Sequence, residues 1–197
     1  MHHDVIEFSP EDAYPARSQR LDDVETVDLG EAEFDTVETI VRKGVKVVVR
    51  GLSSASERLW LESLFERIPE AHWQIPLSEV RLTYRSLKVW IGSDQVNAYG
   101  VYTPSDNGIW LQRQSQRKMR ETFFHEYGHH WLERISSASL ARHYQEVAKS
   151  HQLRMRGKIE PNYQEFWASA YQARILFENS LLSLHPDVYR LIKETER

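Results

Sequence analysis

Two histidines and a glutamate lie within five residues of one another, in the segment His125-Glu126-Tyr127-Gly128-His129. Residues four apart share one face of an α-helix, so the imidazoles of His125 and His129 can bind one metal ion. Glu126 lies about 100° further round the helix, where it can accept a proton from a water molecule on that metal. This spacing predicts metal-assisted hydrolysis, with zinc as the preferred ion.

The flanking sequence predicts a helix over 117–135 with two different faces. Large apolar side chains lie roughly opposite the two histidines, at Phe123, Phe124, Tyr127, Trp131 and Ile135. We expect that face to enter a core and the histidine face to border a cleft. Gly128 costs roughly 1 kcal/mol against alanine in a helix, so it indicates close packing at that point. His130 points away from the metal, as a group beside the ligands or at the surface.

A catalytic zinc site generally has three protein ligands, so the chain should supply one more. The strongest candidate is Glu165. Small residues one turn further along, Ala168 and Ser169, would let its helix pack closely on the histidine helix. His143 and His151, on the next predicted helix, are the alternatives.

Hydrophobic periodicity predicts one α+β domain over residues 37–197. Strands are predicted within 45–50, 80–91 and 97–112, and helices at 54–68, 117–135, 136–151, 162–184 and 186–193. The strands within 97–112 form a hairpin around a turn-rich connection. We expect a small, mixed, twisted sheet packed on the histidine helix, followed by a mostly helical C-terminal half.

The hairpin supplies three candidate substrate-binding residues, Tyr99, Gly100 and Val101. An edge strand has free N–H and C=O groups that can pair with an extended peptide. Gly100 would let the main chain of such a substrate approach closely. The alternative interpretation is an ordinary hairpin packed by its aromatic side chains.

Composition excludes several classes of site and partner. The chain has 197 residues, no cysteine and a formal net charge of -4. Disulfides and cysteine-type zinc sites are therefore excluded, and nucleic acid is not expected as the main partner. No apolar run approaches the roughly 18 residues of a membrane span, and no signal peptide is visible. A cytoplasmic protein is the default expectation, with non-classical export or packaging in a particle as alternatives.

Residues 1–36 are polar and acidic, which predicts an extended or disordered arm. Carboxylates crowd its second half, at Asp22, Asp23, Glu25, Asp28, Glu31, Glu33 and Asp35. A solvated tail is the simplest interpretation. The alternative is a docking tail or a pro-segment, which could lie over the cleft and offer a carboxylate to the metal.

The segments H-E-Y-G-H and E-F-W-A-S-A-Y together resemble the gluzincin zinc peptidases, whose third ligand is a glutamate on a later helix. The likeness is greatest to the catalytic domain of the anthrax lethal factor type and to the minimal gluzincins. It covers about residues 80–195. The resemblance implies a zincin-like fold and one Zn²⁺ per chain on His125, His129 and Glu165.

The resemblance also implies Glu126 as general base and a tyrosine that stabilises the oxyanion. Tyr163 is the nearest match, at a spacing that differs from the lethal-factor pattern, and Tyr171 is the other candidate. We therefore expect a zinc metallopeptidase acting on peptide or protein substrates. The alternatives are a catalytically silent zincin-like module of a virus particle or toxin, a SprT-like protease with a third histidine ligand, and a metal-sensing regulator.

Overall fold

In a computed structural model the chain forms a mixed α+β structure, as the sequence predicts. The structure describes residues 27–28, 34–74, 76–91, 94–133, 135, 138–154 and 163–196. Most of the acidic arm therefore lies outside the described residues, and its extended character stays a prediction. The exceptions are Val27–Asp28, which pairs with Val89 and Lys88 in a sheet, and residues 34–36, where the Phe34 ring packs on Trp110.

The described ranges contain eight strands: β1 (Val27–Asp28), β2 (Val37–Arg42), β3 (Val45–Arg50), β4 (Glu79–Thr83), β5 (Leu87–Ile91), β6 (Asp94–Ala98), β7 (Gly100–Thr103) and β8 (Gly108–Gln112). The larger sheet has the order β2-β3-β4-β8-β7. Its three central strands are parallel, and hairpins add β2 and β7 as antiparallel edges. A smaller antiparallel sheet has the order β1-β5-β6. The hairpin predicted within 97–112 is confirmed.

The same ranges contain six α-helices: α1 (Ala55–Phe65), α2 (Gln116–Glu133), α3 (Ala138–Arg154), α4 (Tyr163–Leu176), α5 (Glu178–Leu184) and α6 (Pro186–Glu194). The single helix predicted over 162–184 is wrong, because the helix breaks at Phe177 into α4 and α5. α1 follows Ser54, whose side chain caps the helix by accepting a hydrogen bond from Glu57 N. Within the described ranges, no helix has both the length and the apolar composition needed to cross a bilayer.

The two faces of the larger sheet belong to two different cores. Apolar residues on one face join the side chains of α1, α2 and α4 in the main core, among them Ile40, Val47, Val49, Val80, Leu82, Ile109 and Leu111. On the other face, Val101 and Trp110 pack against Leu87 and Ala98. The smaller sheet therefore covers the face that the helices leave open.

α2 is the central helix of the main core and carries the histidine motif. Four of its predicted core residues are at most 2 % exposed: Phe123, Phe124, Tyr127 and Trp131. A Cβ atom on Gly128 would lie 2.7 Å from the Ala168 Cα atom, so α2 and α4 touch through their main chains. The predicted close packing at Gly128 and Ala168 is confirmed.

Candidate metal centre

Three metal-ligand side chains converge where α2 meets α4. One ligand atom from each of His125, His129 and Glu165 lies within 4.8 Å of the others. Nε2 of His125 is 3.0 Å from Glu165 Oε2, and Nε2 of His129 is 3.3 Å from Glu165 Oε1. Both imidazoles thus direct the same ring nitrogen at one carboxylate.

This donor set fits a catalytic divalent metal site. Two imidazole nitrogens and one carboxylate oxygen are a known three-ligand set for zinc that leaves a position open. The two histidines are buried, whereas the side chain of Glu165 is 48 % exposed. The group is therefore anchored in the core and reached from solvent on the Glu165 side.

The neighbouring imidazoles keep Glu165 ionised. Desolvation by itself would raise the pKa of Glu165. The charge of His129, together with hydrogen bonds from His125 and His129, outweighs that effect and holds the pKa well below its ordinary value. The ionised carboxylate is the form that binds a metal ion.

Ser169 lies on the far side of the His125 ring. Its Oγ atom is 3.5 Å from Nδ1 of His125, at the long end of hydrogen-bonding distance. Metal-binding histidines generally use the second ring nitrogen for a contact that fixes the ring. The sequence indicated Ser169 only as a small packing residue. Its position four residues after Glu165, on the same helix face, is the sequence signal that could have placed it beside His125.

Glu126 lies beside the three ligands and beneath strand β7. The residue is 5 % exposed, and its Oε2 atom accepts a hydrogen bond from the main-chain N–H of Tyr102 at 3.0 Å. Burial raises the pKa of Glu126 to about 7; the Glu165 carboxylate adds to the rise, while His125 and the Tyr102 N–H oppose it. A carboxyl group with a pKa near neutrality can both take and return a proton.

The register of the β7–β8 hairpin shows which main-chain groups of β7 point outward. Gln112 N donates to Tyr99 O, so hydrogen-bonded pairs recur at every second residue from Tyr99 onward. The N–H groups of Gly100 and Tyr102 therefore point away from β8. Sequence periodicity alone could not show that the Tyr102 N–H meets Glu126, because the register and the height of β7 over α2 are tertiary properties.

Gly100 is required by its contact with α2. A Cβ atom there would lie 2.4 Å from Thr122 Cγ2 and 2.8 Å from Glu126 Cγ. The missing side chain lets β7 approach Glu126, which is a different reason for the glycine from the predicted approach of a substrate. Use of the Gly100 main chain by a substrate stays a prediction.

The other two candidate substrate-binding residues differ from each other. Tyr99 is 48 % exposed, and the Lys118 ammonium lies 5.6 Å from the centre of its ring. Val101 is buried against Trp110 in the second core, and its main-chain groups face β8 by the same register. Of the two, only the side chain of Tyr99 is placed at the surface beside β7.

The two candidate tyrosines for the oxyanion have different surroundings. Tyr163 is the first residue of α4 and packs at the border of the main core. Its catalytic role stays a prediction. Tyr171 is fully buried, and its hydroxyl lies 2.9 Å from Nδ1 of His72. Burial raises the pKa of Tyr171 well above its ordinary value, and the residue belongs to the core.

The alternative histidines do not join the ligand group. Among the described residues that group holds neither His143, which is exposed on α3, nor His130. The side chain of His151 lies outside the described residues. His130 is fully buried, with Nδ1 3.3 Å from the Tyr102 hydroxyl. A surface position for His130 is therefore wrong, because β7 covers it.

The chain matches no protein-family model and no curated protein. The site combines three converging ligand atoms, one buried carboxylate of raised pKa and a strand edge within hydrogen-bonding distance of that carboxylate.

Proposed function

We propose that the protein is a zinc-dependent peptidase of the gluzincin type with a zincin-like fold. The observation that carries this proposal is the convergence of His125, His129 and Glu165 beside the buried Glu126. These are the four residues to which the resemblance assigns zinc binding and the general base. A buried carboxylate is costly to maintain, so a role in the chemistry explains its presence better than a role in stability.

The chain's own residues would divide the work of hydrolysis. His125, His129 and Glu165 would hold the zinc ion, which when bound would act as a Lewis acid and lower the pKa of a water molecule to roughly 7. Glu126 accepts the proton of the attacking water and returns it to the leaving amine. The Tyr102 N–H holds the Glu126 carboxylate in position, and Ser169 orients the His125 ring. Tyr163 is the candidate donor to the oxyanion.

Peptide is the substrate class that the surroundings of Glu126 support. Strand β7 is an edge of the larger sheet. Its Gly100 main chain points outward next to the base. An extended peptide adds to a sheet edge through main-chain hydrogen bonds, which would bring a scissile bond alongside the ligands. The Tyr99 side chain, at the start of that edge, offers an aromatic contact to the same substrate.

The competing functions have less support. A catalytically silent module has no need of the buried Glu126 with its raised pKa. A SprT-like site needs a third histidine, and the exposed His143 is not part of the ligand group.

Metal content tests the proposal most directly. Wild type, purified without added metal, is expected to hold about one zinc per chain. Glu165→Ala should lose most of it because one of three ligands is gone, whereas Glu146→Ala, an exposed carboxylate on α3, should not. Cleavage of a peptide library by wild type, abolished by a chelator and restored by zinc, completes the test. A folded wild type that binds no zinc when zinc is supplied would overturn the proposal.

A further inference from the structure

The outer edge of strand β2 is the second open edge of the larger sheet. β2 pairs with β3 from Val37 to Arg42 without interruption, and within the described ranges no strand pairs with its other side. Edge strands are generally protected against further pairing by proline, by bulges or by very short length. β2 has six residues, no proline and no bulge, so its two charged side chains, Glu38 and Arg42, are the features of the strand that govern the addition of another strand.

The register of β2 defines the groups on this open side. Gly51 N donates to Thr36 O, so the hydrogen-bonded pairs with β3 fall at Thr36 and at every second residue after it. The N–H and C=O groups of Val37, Thr39 and Val41 therefore point away from β3. All three residues are exposed, with Val37 at 56 % and Val41 at 61 %.

The side chains of β2 that face α1 include two charges of opposite sign, Glu38 and Arg42. Glu38 accepts a hydrogen bond from Arg58 of α1. Arg42 Nη1 is 3.6 Å from Oε1 of Glu66, which follows the last residue of α1. The Glu38 and Arg42 side chains are 39 % and 34 % exposed. Each can therefore accept a second ionic partner. A groove of about 380 Å³ separates β2 from α1 beside these charges.

The spacing of these charges makes the edge complementary to itself. A second β2 strand, added antiparallel, must place its outward-pointing residues opposite those of the first, which centres the pairing on residue 38, 39 or 40. Centring on residue 38 places Glu38 opposite Glu38, which is repulsive. Centring on Ile40 places Glu38 opposite Arg42 in both directions and pairs Thr39 with Val41. Centring on Thr39 places Glu38 opposite Ile40 and loses the ionic match. Opposite charges and β-branched residues are both favourable cross-strand pairs.

We propose that two copies of this chain associate through their β2 edges, forming a twofold dimer with a continuous sheet across the interface. Each copy contributes the same surface, as a twofold interface requires. Glu38 of one copy faces Arg42 of the second copy, and the reverse. This association is independent of the proposed zinc chemistry, because the metal ligands lie on α2 and α4.

Charge reversal gives a test with an internal rescue. Full-length wild type should sediment at about twice its chain mass of 23.2 kDa as concentration rises. In Glu38→Arg, the new arginine of one copy would lie opposite Arg42 of the other copy. In Arg42→Glu, the new glutamate of one copy would lie opposite Glu38 of the other. Each variant should therefore dimerise at least about tenfold more weakly. An equimolar mixture of the two variants restores both ionic pairs and should associate like wild type.

Control variants distinguish the β2 interface from association through a different surface and from a loss of folding. Lys88→Glu, an exposed charge reversal on β5, should leave association unchanged, and circular dichroism should show each variant folded. A wild type that stays monomeric at every concentration reached would overturn the proposal. So would a mixture of the two reversal variants that associates no better than either one alone. Slow hydrogen exchange of the Thr39 and Val41 amides in a monomer would show that another segment of the chain covers the edge, and this too would overturn the proposal.

Discussion

The two edges of the larger sheet have the same outward-pointing main-chain groups but different neighbours. At β7 the outward N–H of Tyr102 is bonded to Glu126 of α2, and Gly100 brings the strand against that side chain. At β2 the equivalent groups of Thr39 and Val41 have no strand beside them within the described ranges. The helix behind β2 packs on Ile40 and adds half-buried ion pairs, from Arg58 to Glu38 and to Glu62.

We infer that chemistry at β7 depends on the helix beneath that strand, whereas association at β2 depends on charges that the strand itself carries. Both edges are rich in β-branched or aromatic residues, but only β2 alternates between exposed and more buried positions, whereas β7 is buried on both faces. α2 places a buried carboxylate of raised pKa under one of them. At the other edge, β2 itself carries Glu38 and Arg42, which pair with Arg58 and Glu66 on the α1 side. We infer chemistry at the first edge and association at the second.

The largest expected effect comes from removing the base beneath β7. Glu126→Gln keeps the side-chain shape and an oxygen that can accept the Tyr102 N–H, but it cannot take a proton. We expect kcat to fall about 10²- to 10⁴-fold while zinc content stays at the wild-type level. Steady-state kinetics and metal analysis on the same preparation measure both. Full activity in this variant would refute the assignment of Glu126, and loss of zinc would show that Glu126 is structural.

The second-largest expected effect comes from adding a side chain where β7 packs against α2. Gly100→Ala adds a Cβ atom 2.4 Å from Thr122 Cγ2, 2.8 Å from Glu126 Cγ and 3.0 Å from Glu126 Oε1. Overpacking of this kind typically lowers the free energy of unfolding by about 1–3 kcal/mol. Displacement of Glu126 should also lower kcat by roughly tenfold to a hundredfold. Urea unfolding and steady-state kinetics measure the two effects separately.

A second substitution distinguishes the two contacts of that Cβ atom. Thr122→Ala removes the nearest atom but leaves Glu126 in place, so combining it with Gly100→Ala should recover stability more than activity. Thr122→Ala alone gives the baseline. If the double variant regains full activity, packing against Thr122 explains the glycine, and the position of Glu126 does not depend on it.

Much of the centre could be predicted because its signals are local. The spacing of His125 and His129 fixes a shared helix face, and the apolar residues opposite them mark the buried side of α2. Gly128 and Ala168 indicated a close helix contact that is present. The convergence of Glu165 with the two histidines follows from that contact.

The remaining features depend on contacts that are distant in sequence. His130 is buried because Tyr102, on a strand 28 residues earlier, covers it. The break at Phe177 has no proline or glycine to mark it. The hydrogen bond from Tyr102 N to Glu126 depends on the register of β7, and a shift of one residue would turn that N–H towards β8.

The smallest expected effect on hydrolysis comes from a change at the other edge. Thr39→Pro removes an outward N–H of β2 without removing a bond to β3, which is the position where an edge strand tolerates proline. We expect kcat to change less than about twofold, since the metal ligands and Glu126 are on other elements. Thr39→Val, which keeps the N–H and the β-branched shape, is the matched control.

Association of the Thr39→Pro variant, by contrast with its hydrolysis, should weaken clearly. Because the dimer is twofold symmetric, the Thr39→Pro substitution removes the Thr39 hydrogen bond from both copies, at about 1 kcal/mol each. The dimer Kd should therefore rise roughly tenfold to thirtyfold. Sedimentation and kinetics on the same Thr39→Pro sample therefore test whether the two edges act separately. If hydrolysis falls together with association while Thr39→Val behaves like wild type, the edges are coupled through the sheet. The division into a catalytic edge and an associating edge would then be wrong.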